Sequence, residues 1–209
     1  VSIPEKLVAD WKYILQAVAR LPRKDPEDEK QSSAQKFNSM LKGYYNDIQA
    51  IWESYTSDRK KLGREAFTTR KNVVAYFAGF HLSNAARLTM LLQRLEQRTP
   101  QSLKILRSNS LDVFDFGCGS GAGTQTFAEY VGAGQVEHVT LIDRSRAFLD
   151  LAKKVMTQAF PTVKSHCIRC SIESLNPQRI FENSNGSINI LQFGYVLNEL
   201  FKQRGAMEN

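Results

Sequence analysis

The chain has 209 residues, 42% hydrophobic and 23% charged, which fits a globular protein and excludes a disordered one. No run approaches 18 consecutive apolar residues, so no membrane-spanning helix is expected, and three cysteines are too few for a disulfide framework, which makes a reducing compartment the default. The net charge of +7 is uneven: residues 1–100 carry 17 basic and 11 acidic side chains, whereas 101–209 carry 11 and 10. A basic first half is compatible with nucleic acid, an anionic membrane surface or plain solubility.

Taken in chain order, Leu7, Trp11, Ile14, Leu15 and Val18 recur at helical spacing behind Pro4, whose fixed φ suits a first turn. The polar stretch 23–36 reads as a solvated connection. Phe37, Leu41, Tyr44, Ile48, Ile51 and Tyr55 then recur at steps of four and three, which predicts one continuous amphipathic helix. Thr68 or Thr69 is placed to cap a third helix, with its stripe at Val73, Phe77, Phe80, Leu88, Leu91, Leu92 and Leu95. Thr99-Pro100 ends it.

From Leu111 the period changes. Leu111–Phe116 is a short apolar run closed by a glycine cluster, 124–131 reads as a helix, and Val136–Ile142 is a second apolar run ending at Asp143. A helix over 146–160 follows, with strands over 163–170 and 187–193. Strands alternating with helices predict a parallel sheet wrapped by helices. We therefore divide the chain into a basic helical region, 1–105, and an α/β domain, 106–209.

The sharpest motif is Asp115-Phe-Gly117-Cys-Gly119-Ser-Gly121-Ala-Gly123. Glycines at the end of a first strand permit a tight turn and let backbone N–H groups and the next helix N-terminus approach an anionic ligand group. The spacing satisfies a dinucleotide fingerprint as well as that of S-adenosylmethionine. Asp115 favours the latter, since dinucleotide folds usually hold an apolar residue there and a carboxylate can engage the ammonium of a methionine moiety. Asp143 ends the second strand, 26 residues after Gly117, where an acidic side chain can accept both ribose hydroxyls.

Three segments carry a family resemblance: Asp115–Gly121, Leu141-Ile-Asp-Arg-Ser-Arg-Ala-Phe-Leu-Asp-Leu-Ala152, and Tyr195-Val-Leu-Asn-Glu-Leu200. Together they resemble the methyltransferase-like assembly factors of the mitochondrial small ribosomal subunit and their bacterial relatives. The resemblance covers roughly 70–205. It implies a Rossmann-like class I methyltransferase sheet, here incomplete at about four strands, preceded by an all-helical region. It also implies bound S-adenosylmethionine, partners in small-subunit rRNA, ribosomal proteins or other assembly factors, and a location in the mitochondrial matrix or, for a bacterial relative, the cytoplasm.

Carried over by motif, Asp115, Gly117, Cys118, Gly119 and Gly121 line the methionine end. Asp143 meets the ribose, Arg144 or Ser145 lies beside the adenosine, and Ser171 is near the adenine. Family members also bind an iron–sulfur cluster through downstream cysteines, which this chain lacks; Cys118, Cys167 and Cys170 all lie upstream of that place. Asn189 stands where the fourth strand often carries an acid. The family's sheet has seven strands, so the strand at 188–193 is expected to find its next neighbour in a longer chain or in a partner.

The remaining constellations are weaker. Cys167 and Cys170 point to opposite faces of a strand, so no metal site is expected there, and His81 and His138 are expected to be structural. Arg59, Lys60, Lys61, Arg64, Arg70 and Lys71 put six positive charges in 13 residues, a candidate RNA contact. Tyr44, Tyr45, Trp52 and Tyr55 are expected in the core by their spacing. After the fourth strand comes Gln192-Phe193-Gly194-Tyr195 rather than the Asp/Asn-Pro-Pro-aromatic turn of base amino-group methyltransferases. With only Tyr195 and Glu199 nearby, no catalytic residue is assigned. The readings left open are a non-catalytic rRNA-binding checkpoint, an active rRNA methyltransferase and, behind both, an NAD-dependent oxidoreductase.

Overall fold

The computed structural model describes residues 3–19, 33–56, 69–181 and 188–194. Helix α1 (Glu5–Ala19) buries the predicted stripe of Leu7, Trp11, Ile14, Leu15 and Val18. The continuous helix expected over 37–55 is instead two, α2 (Ser33–Gly43) and α3 (Tyr45–Thr56). The break sits at Gly43-Tyr44, where Tyr44 N–H reaches only three residues back, to Leu41 O at 3.0 Å. The start of α2 also corrects the connection expected to run to residue 36.

The break divides the four aromatics expected in the core. Tyr44 packs against the buried cluster of the front and Tyr55 lies between Tyr76 and Phe80, at 6.4 and 6.0 Å. Tyr45 and Trp52, by contrast, are 64% and 56% exposed.

Helix α4 (Arg70–Arg98) opens on Thr69, whose Oγ1 accepts from Asn72 N–H at 3.2 Å. A side-chain cap of this kind satisfies one of the free amides of the first turn. Pro100 ends α4 as expected, but it also opens α5 (Pro100–Ser108), a helix absent from the sequence reading. Proline tolerates a first-turn position because its missing N–H has no partner there anyway. The boundary drawn at residue 105 thus falls inside α5.

Four parallel strands follow: β1 (Leu111–Phe116), β2 (Val136–Asp143), β3 (Lys164–Arg169) and β4 (Ile188–Phe193), in the order β3-β2-β1-β4. Helix α6 (Ala122–Val131) joins β1 to β2, α7 (Arg146–Ala159) joins β2 to β3, and the short α8 (Pro177–Phe181) precedes β4. Every residue of β1 is buried, as its unbroken apolar run requires of a central strand covered on both faces. This is the Rossmann-like α/β architecture, with a helical region ahead of it.

The two sheet faces are covered unequally. Leu111 and Val113 share a core with Leu92, Leu103, Phe127, Leu149 and Met156, supplied by α4, α5, α6 and α7. Phe114 and Phe116 face the other way, onto Ile142 and Ile180. On that side Leu191 and Phe193 of β4 remain 49% and 39% exposed. Among the described residues β4 is a sheet edge.

The front helices are fastened to the α/β unit by apolar contact. Trp11, Ile14, Leu15 and Val18 of α1 and Val73, Val74 and Phe77 of α4 bury together with Phe148, Leu151 and Val155 of α7. Trp11 Nε1 donates to Phe77 O at 3.0 Å, which satisfies its one polar atom inside that core.

Candidate cofactor site

Strand β1 has β2 on one side and β4 on the other, so the chain reverses its direction of sheet growth there. In open α/β sheets the crevice beyond the strand ends at such a point is where ligands bind. The glycine loop fills it. Gly117, Gly119 and Gly121 have φ of 72°, 51° and 76°, a left-handed backbone that side chains resist. Gly121 is needed twice over: a Cβ there would stand 3.1 Å from Ala152 Cβ in α7.

The loop closes on itself. Gly117 and Cys118 N–H both donate to Ile142 O, at 2.8 and 3.1 Å, and Gly121 N–H to Cys118 O at 2.8 Å. Gly119 N–H donates to Asp143 Oδ2 at 3.0 Å, and Ser145 N–H to Asp143 Oδ1 at 2.8 Å. These four loop amides are therefore engaged within the protein.

Asp115 lies near the end of β1, beside the start of α6. It is 2% exposed and accepts from Thr124 Oγ1 at 2.5 Å, at the first turn of α6. Burial pushes its carboxyl up to about 6; hydrogen bonds from the Thr124 hydroxyl and backbone oppose this, and the charge of Asp143 adds to it. Burial raises Asp143 too, against the hydrogen bonds from Ser145 and Gly119 and the charge of Arg144. The α6 N-terminus already faces a carboxylate, and a second one lies across the loop. A pyrophosphate would meet repulsion here, whereas a cationic group would relieve it.

Three further side chains frame the loop. Tyr76 of α4 brings its hydroxyl to 4.0 Å from where a Cβ on Gly119 would be. It is fixed by stacking on Phe80 at 5.1 Å, an edge contact with Phe148 at 5.0 Å, and a hydrogen bond from Asn84 Nδ2 at 3.1 Å. Gln192, paired in register with Asp115 across β1 and β4, lays its amide against Gly123 so closely that any Cβ there would collide with it. Thr124 completes the set. Sequence reasoning missed all three; only Thr124, the residue directly after the glycine motif, carried a usable signal.

The other expected residues divide. Asp115, Gly117, Gly119, Gly121 and Asp143 converge on one strand-end crevice. Cys118 joins them by backbone only, since its side chain packs in the core, where burial and the Asp115 and Asp143 charges push its thiol well up. Arg144 is exposed and its carbonyl accepts from Arg169 Nε at 3.3 Å. Ser171 is carried to the same edge, because the preceding Cys170 N–H donates to Asp143 O at 3.2 Å; its hydroxyl donates to Ser174 Oγ at 3.1 Å.

Cys167 and Cys170 pack into the cores on opposite faces of the sheet. His138 pairs with buried Asp112 at 3.0 Å, at the end of the strands remote from the loop, where Glu137 also lies close. Arg59, Lys60, Lys61, Arg64, Tyr195 and Glu199 lie outside the described residues. Arg70 donates to Val18 O at 2.7 Å and Lys71 pairs with Asp47 at 2.9 Å, so both help tie the front helices together. No described helix is long and apolar enough to cross a membrane.

Residues 113–188, from within β1 to the first residue of β4, match the family model of a methyltransferase domain. No curated protein matches the chain. Over those residues the α/β unit is similar to methyltransferase domains, and its Rossmann-like sheet is consistent with that likeness. S-adenosylmethionine is the usual cofactor of such domains, and the side chains at the loop fit it, since the carboxylates of Asp115 and Asp143 suit a ligand that carries an ammonium and ribose hydroxyls.

Proposed function

We propose that this protein binds S-adenosylmethionine at the Asp115–Asp143 crevice and acts on small-subunit rRNA as an assembly factor of the mitochondrial ribosome. The observation that carries the cofactor half is the pair of carboxylates, buried Asp115 and half-buried Asp143, that flank a glycine loop with four amides already engaged. In this reading Asp115 holds the ammonium, Asp143 the ribose hydroxyls, and Tyr76 and Gln192 wall the crevice. The bound cofactor would supply an electrophilic methyl group; the protein's part is alignment and exclusion of water.

The ribosomal half rests on the three motif segments and on the basic run from Arg59 to Lys71. We favour a binding and checkpoint role over methyl transfer, because Gln192-Phe193-Gly194 takes the place of the turn that grips a target base. Calorimetric titration with S-adenosylmethionine, S-adenosylhomocysteine and NAD tests the cofactor: binding of the first two is expected, and binding of NAD alone would overturn it. A tritiated-methyl assay on immature small-subunit rRNA separates the two roles, and label transfer would make the protein an enzyme. Charge reversal at Arg59, Lys60 and Arg64 is expected to weaken RNA binding and flatten its salt dependence; an unchanged slope would remove RNA from the account.

A further inference from the structure

Beneath the glycine loop lies a polar chain that the class of the domain does not explain. His81 of α4 is fully buried, with Phe77 at 4.6 Å between ring centroids. Its Nδ1 lies 3.0 Å from Ser120 Oγ in the loop, and its Nε2 lies 3.0 Å from Gln125 Oε1 in α6. Gln125 Nε2 in turn donates to Asp10 Oδ2 of α1 at 3.5 Å. An amide oxygen only accepts, so Nε2 of His81 carries the proton and Nδ1 accepts the Ser120 hydroxyl hydrogen. Every member of the chain then has a definite direction: Ser120 to His81, His81 to Gln125, Gln125 to Asp10.

Ser120 stands between Gly119 and Gly121, two residues whose positive φ leaves the backbone little intrinsic preference for this path. It is also 2% exposed, so its side chain is a peg driven from the loop into the protein. We propose that His81 is a positioning residue for the cofactor: by holding Ser120 it fixes the loop in its ligand-ready shape, and thereby makes α4 and α1 part of the cofactor site. The inference rests on the reading of this loop as the S-adenosylmethionine site, though the loop's rigidity can be measured without any ligand.

The two ring nitrogens can be separated by substitution, since an asparagine amide reaches about as far as Nδ1 and a glutamine amide about as far as Nε2. His81→Asn keeps an acceptor for Ser120 and gives up Gln125; His81→Gln does the reverse. Amide hydrogen exchange at Gly119 and Gly121 in the unliganded protein is expected to quicken about tenfold more in His81→Gln than in His81→Asn, the worth of one hydrogen bond. Affinity for S-adenosylhomocysteine, measured by calorimetry, is expected to fall about tenfold in His81→Gln and to stay within about threefold of the parent in His81→Asn.

Melting temperature falls in both, so it does not discriminate. Equal loop exchange and equal affinity in the two variants would reduce His81 to a packing residue and overturn the proposal. A parent protein that binds no cofactor while its His81→Gln loop still loosens selectively would overturn the cofactor reading and uphold only the hold of His81 on the loop.

Discussion

The helical front and the α/β unit build one site by different means. In the α/β unit the site is written into the backbone: three left-handed glycines, a loop bonded to itself, and two carboxylates at adjacent strand ends. The front contributes only side chains, from helices that arrive by packing: Tyr76 and His81 of α4, with Asp10 of α1 behind Gln125. Tyr76 covers Gly119, and His81 holds Ser120 from below. A contiguous motif marks the first kind of contribution. Nothing local marks the second, because Tyr76 and His81 matter only once α4 lies on α6 and α7.

The strongest way to break this comparison is to detach the front. Trp11→Ala removes a large side chain from the core shared with Phe77, Phe148 and Val155, together with the hydrogen bond to Phe77 O. A loss of about 3–5 kcal/mol is expected in chemical denaturation, in one transition reported alike by front and sheet. Two separate transitions would show that the front is an independent unit and that its contacts with the loop are incidental.

Asp115→Asn tests the other half. It keeps an acceptor for Thr124 but removes the buried charge, and affinity for S-adenosylhomocysteine is expected to drop at least about 30-fold. Stability should move the opposite way. A carboxyl pushed up to about 6 holds its proton in the fold and releases it more readily on unfolding, so ionised Asp115 opposes folding above pH 6. Removing it is expected to stabilise the unliganded protein by about 1–3 kcal/mol at pH 7.5.

The same variant uncovers His81. Burial pushes its imidazole down to about 4 from 6.5, so stability is lost as pH falls from 6.5 towards 4. Asp115 acts in the reverse sense over pH 4 to 6, and the two largely offset in the parent protein. Denaturation across this range should therefore give a steeper acid loss in Asp115→Asn than in the parent. Equal slopes would mean that Asp115 is ordinary.

Smaller effects sharpen the picture. Gly121→Ala forces a Cβ into a left-handed backbone 3.1 Å from Ala152, and should destabilise by about 1–3 kcal/mol in denaturant melts. Lys71→Ala breaks an ion pair whose lysine is 66% exposed, and should change stability by less than about 1 kcal/mol. A larger loss would give the front's surface charges a role in holding the site.

Much of this was legible from residues alone, and the failures share a cause. The strands, the crossover helices and the crevice residues Asp115, Gly117, Gly119, Gly121 and Asp143 follow from local period and motif. The continuous helix drawn through Gly43-Tyr44 failed because apolar spacing says nothing about where a backbone turns. For the same reason Tyr45 and Trp52 came out exposed. Helix α5 was hidden because Pro100 was read as a stop and not also as a start. Gln192 was missed because its place beside Asp115 is set by strand register, a non-local property. The engaged state of the loop amides was illegible for a similar reason, since Ile142 and Asp143 supply most of their acceptors.

The central claim is that this crevice is built for a cation, and proton release tests it most directly. A ligand ammonium beside Asp115 must pull its carboxyl down from about 6. Titrating S-adenosylhomocysteine calorimetrically at pH 6, in buffers of different ionisation enthalpy, should show release of about half a proton per site, fading by pH 8. Binding without proton release at pH 6, or with uptake, would contradict the account.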